Sequence, residues 1–187
     1  MEFVNRIFMV CTKDTSWFRD NILTIVSIAL AMTGGLFAWW QWRNSNKIKR
    51  AELIKQIIEK LRFDKEMLTA MYTIDYDDPW YGEGFHHTTS DVEATIDKFL
   101  SYLTYICYIK EVGHITKKEF RILGYQLKRT CSSRQVQAYL WNLYHFSALN
   151  QIESTFQYLI EYGFRNKIID EEEFKNEESE KYGPKYL

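Results

Sequence analysis

From Ile22 to Trp42 the chain runs for 21 residues without a charged side chain, and nothing else in it limits the possible folds as sharply. At 1.5 Å of rise per residue this is roughly 31 Å of helix, which matches a bilayer hydrocarbon core of about 30 Å. A cleaved signal peptide fits poorly, because its apolar region spans about 7–15 residues and ends at small residues. Here the run starts after some twenty mixed residues and leads into "AWWQWRN". The expectation is a retained, single transmembrane helix over 21–43, with the lipid bilayer as its surroundings. Before it, Arg6, Lys13 and Arg19 are offset by Glu2, Asp14 and Asp20; after it come Arg43, Lys47, Lys49 and Arg50, with no acid before Glu52. The excess of cations on one side predicts the C-terminal bulk in the cytoplasm and residues 1–20 as a short extracytoplasmic segment. Within that segment Phe3, Val4, Ile7 and Phe8 share a helical face suited to an interfacial helix. Trp39, Trp40 and Trp42 fall at the expected cytoplasmic headgroup level, with Trp17 and Phe18 at the other.

Ser27, Ala31 and Gly35 recur every four residues along the apolar run. Small side chains at this spacing let helix backbones approach closely in lipid, so this face predicts homo-oligomerisation. The competing reading is a bare anchor rich in small residues. Nothing ionisable lies in the span, so it supplies neither a proton relay nor a charged filter.

Beyond the membrane segment, residues 44–169 read as an all-α domain of about five helices. Ile54, Ile57, Ile58, Leu61, Leu68 and Met71 form a single stripe from the basic segment onward, with no Pro or Gly separating it from the apolar run. "YDDPWYGEGFHHTTS" follows as a loop. Its Asp75, Asp77, Asp78, His86 and His87 lack metal-type spacing, and packing by Trp80, Tyr81 and Phe85 is the simpler expectation. Three capping-box signatures then open helices: Ser90 with Glu93, Thr116 with Glu119, and Ser132 with Gln135. Val92, Ile96, Phe99, Leu100, Leu103, Ile106 and Cys107 form the buried face of the first, which Gly113 ends. A last helix runs from about Ile152 to Phe164, burying Ile152, Phe156, Leu159 and Ile160. Residues 170–187, "DEEEFKNEESEKYGPKYL", read as an acidic flexible tail.

The net charge of −1 excludes neither anionic nor cationic partners, since the charge is unevenly spread. Three cysteines cannot all pair within one chain, and Cys107 sits in an apolar run as a small hydrophobe. No phosphate loop, HExxH or nucleophile elbow is present, so no catalytic residue, metal or cofactor is expected. His114 and His145 are isolated, and His145 in "NLYHF" reads as structural.

One segment points to anion binding. "KRTCSSRQ" joins two helices, placing Lys128, Arg129 and Arg134 beside Ser132 and Ser133 at a helix start. On the preceding helix Lys117, Arg121, Tyr125 and Lys128 follow at intervals of four, four and three, giving a basic face with one aromatic. Stacking on Tyr with phosphate contact by Lys and Arg suits a small or single-stranded nucleotide ligand. Duplex DNA is not expected, because no recognition helix with an adjoining basic arm is seen.

The run "DKFLSYLTYICYIKEVGHITKKEFRILGYQLKR", with "VQAYLWNLYHF" and "FQYLIEYG", resembles small bacterial proteins that have one N-terminal membrane helix and a helical cytosolic domain. Within that architecture the chain is similar to the membrane effectors of type III CRISPR defence. The resemblance implies a bacterial inner-membrane homo-oligomer whose cytosolic domain binds cyclic tetra-adenylate and whose membrane part responds. It assigns no binding residue, so the nominated site rests on the residues above. The alternative is a membrane-tethered helical scaffold for a protein partner, with no nucleotide ligand.

Overall fold

The computed structural model describes the backbone of residues 2–81 and 90–183 and the side chains of residues 21–81 and 91–183. All regular structure among the described residues is helical. The chain divides into two units, Met1–Ala51 and Glu52–Leu187. The second unit begins on the C-terminal side of the basic segment, and Ile54 is its first buried residue.

The first element, α1 (Glu2–Phe63), holds the apolar run. From Asn21 it contains an 18-residue window of mean hydropathy 2.0 with none of it buried, long and apolar enough to cross a membrane. Two of its hydroxyls are satisfied within the helix. Ser27 Oγ donates to the Leu23 carbonyl (2.7 Å) and Thr33 Oγ1 to the Ala29 carbonyl (2.9 Å), which satisfies groups that lipid could not. Ser27, Ala31 and Gly35 are exposed, and a Cβ added at Gly35 would meet nothing within 4 Å.

In the second unit the expected stripe is interrupted. Asp64 leaves helical geometry (φ −77, ψ 123), and its carboxylate caps α2 (Lys65–Asp75) by accepting from the Glu66 and Met67 amides at 2.9 and 3.2 Å. An Asp side chain competes with the helical backbone and favours such a cap. The break resets the phase. Ile54, Ile57 and Leu61 are buried as expected, but beyond Asp64 it is Met67, Ala70 and Ile74 that enter the core, while Leu68 and Met71 are only half-buried.

Central to the domain is α3 (Ser90–Glu111), which packs against α2 on one side and α7 on another. Its expected face is buried apart from Val92, which is 37% exposed; Ile109 joins the core instead. The side chain of Ser90 lies outside the described residues, as do Phe85, His86 and His87. Gly113 ends the helix at φ +82, with its amide on the Lys110 carbonyl and the His114 amide on the Ile109 carbonyl, a left-handed cap that glycine favours.

The Thr116–Glu119 capping box forms, but its helix, α4, stops at Lys117–Phe120. Tighter i→i+3 bonds follow, from the Ile122, Leu123 and Gly124 amides to Glu119, Phe120 and Arg121, before α5 (Gly124–Ser132) resumes. The next helix, α6 (Arg134–Leu149), is capped by Ser133 rather than Ser132. Gln135 is not its box partner. Its side chain instead accepts from the Trp80 and Tyr81 amides (2.9 and 3.2 Å) and donates to the Asp78 carbonyl (3.0 Å), tying the loop after α2 to α6. The last long helix starts five residues late, as α7 (Gln157–Arg165), and Ile152 is 58% exposed. Gly163 in α7 is a contact requirement: an added Cβ would lie 2.5 Å from Ile169 Cδ1.

The expected flexible tail is overturned for residues 170–183. Asp170 caps α8 (Glu171–Lys175), and a 3-10 turn follows at Glu180–Tyr182. Phe174 and Tyr182 are buried, with Tyr182 stacked on Trp141 at 5.8 Å between ring centres. The Trp141 indole donates to the Asn176 carbonyl (3.3 Å), and His145 Nε2 lies 3.0 Å from the Phe174 carbonyl. Two aromatic plugs thus fold an otherwise acidic segment, most of whose carboxylates are exposed, while Glu173 is half-buried and accepts from the Ser179 hydroxyl.

Candidate functional site

The nominated residues fall on two helices, Lys117 on α4 and Tyr125, Lys128 and Arg129 on α5, with Arg121 between them. The i→i+3 bonds between α4 and α5 close a turn in three residues rather than 3.6, so the regular helical period assumed from Lys117 to Lys128 is interrupted there. Arg121, Tyr125 and Lys128 are exposed, with Tyr125 at 70%. Arg129 is committed elsewhere: its Nε donates to Asp75 Oδ1 (2.5 Å) and its Nη2 to the Asp75 carbonyl (2.6 Å), clamping α5 to α2. Asp75 beside it raises the guanidinium pKa further. Ser132 Oγ donates back to the Lys128 carbonyl (2.8 Å), and Ser133 Oγ accepts from the Val136 amide (3.5 Å). Arg134 is exposed at the first turn of α6. The turn is thus a capped connection whose central arginine is a structural clamp.

Lys117 belongs to a different place. It stands at the edge of a cleft of about 250 Å³ formed by the end of α3, by α4 and by α7. Cys107 and Phe120 contribute apolar surface, while Tyr158 and Tyr162 project from successive turns of α7. The rings brace one another edge to face: Phe120 on Tyr162 (5.7 Å), and Tyr158 on Tyr108 (5.1 Å). Burial pushes the Cys107 thiol up to about 12, so it is neutral and unsuited to nucleophilic attack. Burial raises the Tyr162 phenol as well.

The polar lining is mainly cationic. Lys110, Lys117 and Arg165 share the lining with one carboxylate, Glu111, and Arg165 also pairs with Glu161 beside it. One oxygen, Glu111 Oε2, accepts from Arg165 Nη1 (2.7 Å) and Lys110 Nζ (3.1 Å). Hydrogen bonding to Arg165 first, and then to Lys110, holds the Glu111 carboxyl below its ordinary range. Arg165 is oriented by a second bond, Nη2 to Glu161 Oε2 (3.0 Å), and Gln157 steadies Glu161 from below (2.9 Å). Lys117 has no ion-pair partner among the described residues. An aromatic-walled recess with a surplus of cations suits a planar group carrying phosphate.

Sequence reasoning reached only Lys117 of this cleft. Tyr158, Tyr162 and Arg165 were readable as a pattern, at intervals of four and three on one helix face. That Lys110 and Glu111 meet them is decided by how α3 packs on α7. Elsewhere, His145 is structural as expected, buried against Trp141 and Tyr144. Among the described residues no group of three His, Cys, Asp or Glu side chains is arranged to hold a metal ion. Comparison with protein-family models, with curated proteins and with solved structures finds no match.

Proposed function

We propose that this chain is a membrane-anchored receptor for a phosphate-bearing nucleotide, acting through binding rather than catalysis. The observation that carries the reading is the cleft: three cations and braced aromatic rings on a helical domain that follows a long apolar helix. In this reading α1 crosses the bacterial inner membrane once, with the N-terminus outside and the helical domain in the cytoplasm, as the flanking cations favour. The ligand is a cyclic oligonucleotide of the cyclic tetra-adenylate kind, and the response is a change at the membrane in antiviral defence. Ligand pockets for whole small molecules span about 300–1,000 Å³, so a recess of about 250 Å³ suits one nucleotide unit of a ring. A symmetric homo-oligomer, held by Ser27, Ala31 and Gly35, would present one such recess per copy to a ring of repeated phosphates. Binding switches the assembly only if affinity differs between its resting and active arrangements.

The test is thermal unfolding and calorimetric titration of the full chain in detergent with cyclic tetra-adenylate, cyclic dinucleotides and AMP. A ligand at a hundred times its Kd stabilises by about 2.7 kcal/mol. The expected result is such a stabilisation by the cyclic oligonucleotide, lost in the Lys117→Ala, Arg165→Ala double variant but kept in Arg134→Ala. Silence across the panel overturns the reading. It would favour a tethered scaffold for a protein partner, for which the exposed Phe146, Leu149 and Ile152 at the end of α6 offer apolar surface.

A further inference from the structure

We propose that Glu111 is a built-in anion that fills the phosphate seat of the cleft, and that a phosphate-bearing ligand binds by displacing it. This rests on the receptor reading above and adds to it a mechanism of selection.

Three observations point the same way. First, the carboxylate sits where a ligand oxygen would sit. Glu111 Oε2 accepts at once from Arg165 Nη1 (2.7 Å) and Lys110 Nζ (3.1 Å), the donors that make the recess attractive to anions. Second, the carboxylate is poorly placed by its own helix. Glu111 is the last residue of the 22-residue α3, where the negative end of the helix dipole disfavours negative charge. Its side chain is 42% exposed, so swinging out into water uncovers no core. The two cations are what hold it. Third, the seat outlasts its occupant. Arg165 stays oriented through Nη2 to Glu161, which Gln157 fixes in turn. Lys117, also on the cleft, has no ion pair among the described residues and is not served by Glu111.

The consequence is discrimination by number of charged oxygens. A monocarboxylate offers the two shared cations nothing that Glu111 does not already supply. A phosphate can replace Glu111 with one oxygen and reach Lys117 with another. The latch also sets a threshold, because apparent affinity falls in proportion to the fraction of time the seat is free.

The experiment is calorimetric titration of the full-length protein in detergent with inorganic phosphate and with AMP, comparing wild type with Glu111→Gln. The glutamine keeps size and removes the competing charge. With the seat filled about nine-tenths of the time, Glu111→Gln binds both probes about tenfold more tightly, and acetate binds wild type no better than it binds Lys117→Ala. Binding to Glu111→Gln alone, with wild type below detection, also supports a latch. Equal or weaker binding by Glu111→Gln, with wild-type binding measured, overturns the latch and leaves the receptor reading standing. Binding by neither protein overturns both. A reading on the unmodified chain guards against a misfolded variant: carbon-13 NMR of the Glu111 carboxyl should show its titration return to the ordinary glutamate range in saturating phosphate. A titration that phosphate leaves unmoved overturns displacement.

Discussion

At the scale of single residues, the domain's charges are set by their partners rather than by their number. Arg129 and Arg165 look alike in sequence, yet one clamps α5 to α2 through Asp75 and the other opens into a cleft. Glu111 is the most consequential of these groups for pH behaviour. Its carboxyl is held below the ordinary range, first by Arg165 and then by Lys110. A depressed carboxylate contributes stability that is fully present above its unfolded value of about 4.3 and is lost as pH falls through the lower folded value. Wild type should therefore lose more stability than Glu111→Gln as pH drops from about 5 toward 3, measured by urea unfolding at a series of pH values. Identical slopes would mean that Arg165 does not hold this carboxylate in solution.

At the scale of elements, helix ends recur in one form. After α2, α6 and α7 the chain turns through Asp77, Gln151 and Lys167 at φ 55, 56 and 54. Each turn is closed by the same pair of bonds, as with the Lys167 amide on the Phe164 carbonyl (2.9 Å) and the Ile168 amide on the Gly163 carbonyl (3.0 Å). A side chain in this left-handed region costs roughly 1–2 kcal/mol, which glycine avoids. Lys167→Gly should therefore raise stability by about 1 kcal/mol, less what glycine loses in the unfolded chain. Thermal unfolding checks this, and a loss of stability would mean that the Lys167 side chain contributes packing of its own. Helix starts were readable only in part. Thr116 with Glu119 forms the box its spacing announces, whereas the choice of Ser133 over Ser132 was not legible. Both serines offer the same cap, and the helix begins where Gln135 can reach the loop after α2.

For the whole molecule, the closing segment matters more than its composition suggests. Residues 170–183 carry a dense acidic run, yet Phe174 packs against Tyr144 and Phe164, and Tyr182 against Trp141. Removing a buried phenylalanine side chain costs about 3–5 kcal/mol, so Phe174→Ala should lower the unfolding free energy by that amount and expose Trp141 to quenchers. An unchanged midpoint with unquenched tryptophan would show that the segment is not part of the folding unit.

The amino-acid sequence by itself determined the helical class, the long apolar helix and most of the core. Those properties follow from local periodicity and from the absence of charge over 21 residues, and need no knowledge of distant contacts. Tertiary structure alone decided the break at Asp64, the folded closing segment and the cleft. In each case the deciding interaction joins residues far apart in the chain or chooses between locally equal options. Asp64 can sit within a helix or cap one, and packing of Met67 and Ile74 goes with the cap. Phe174 can stay in water until the face of α6 with Trp141 and His145 exists to bury it. Glu111 meets Arg165 across 54 positions of sequence, a pairing that spacing along one helix cannot encode.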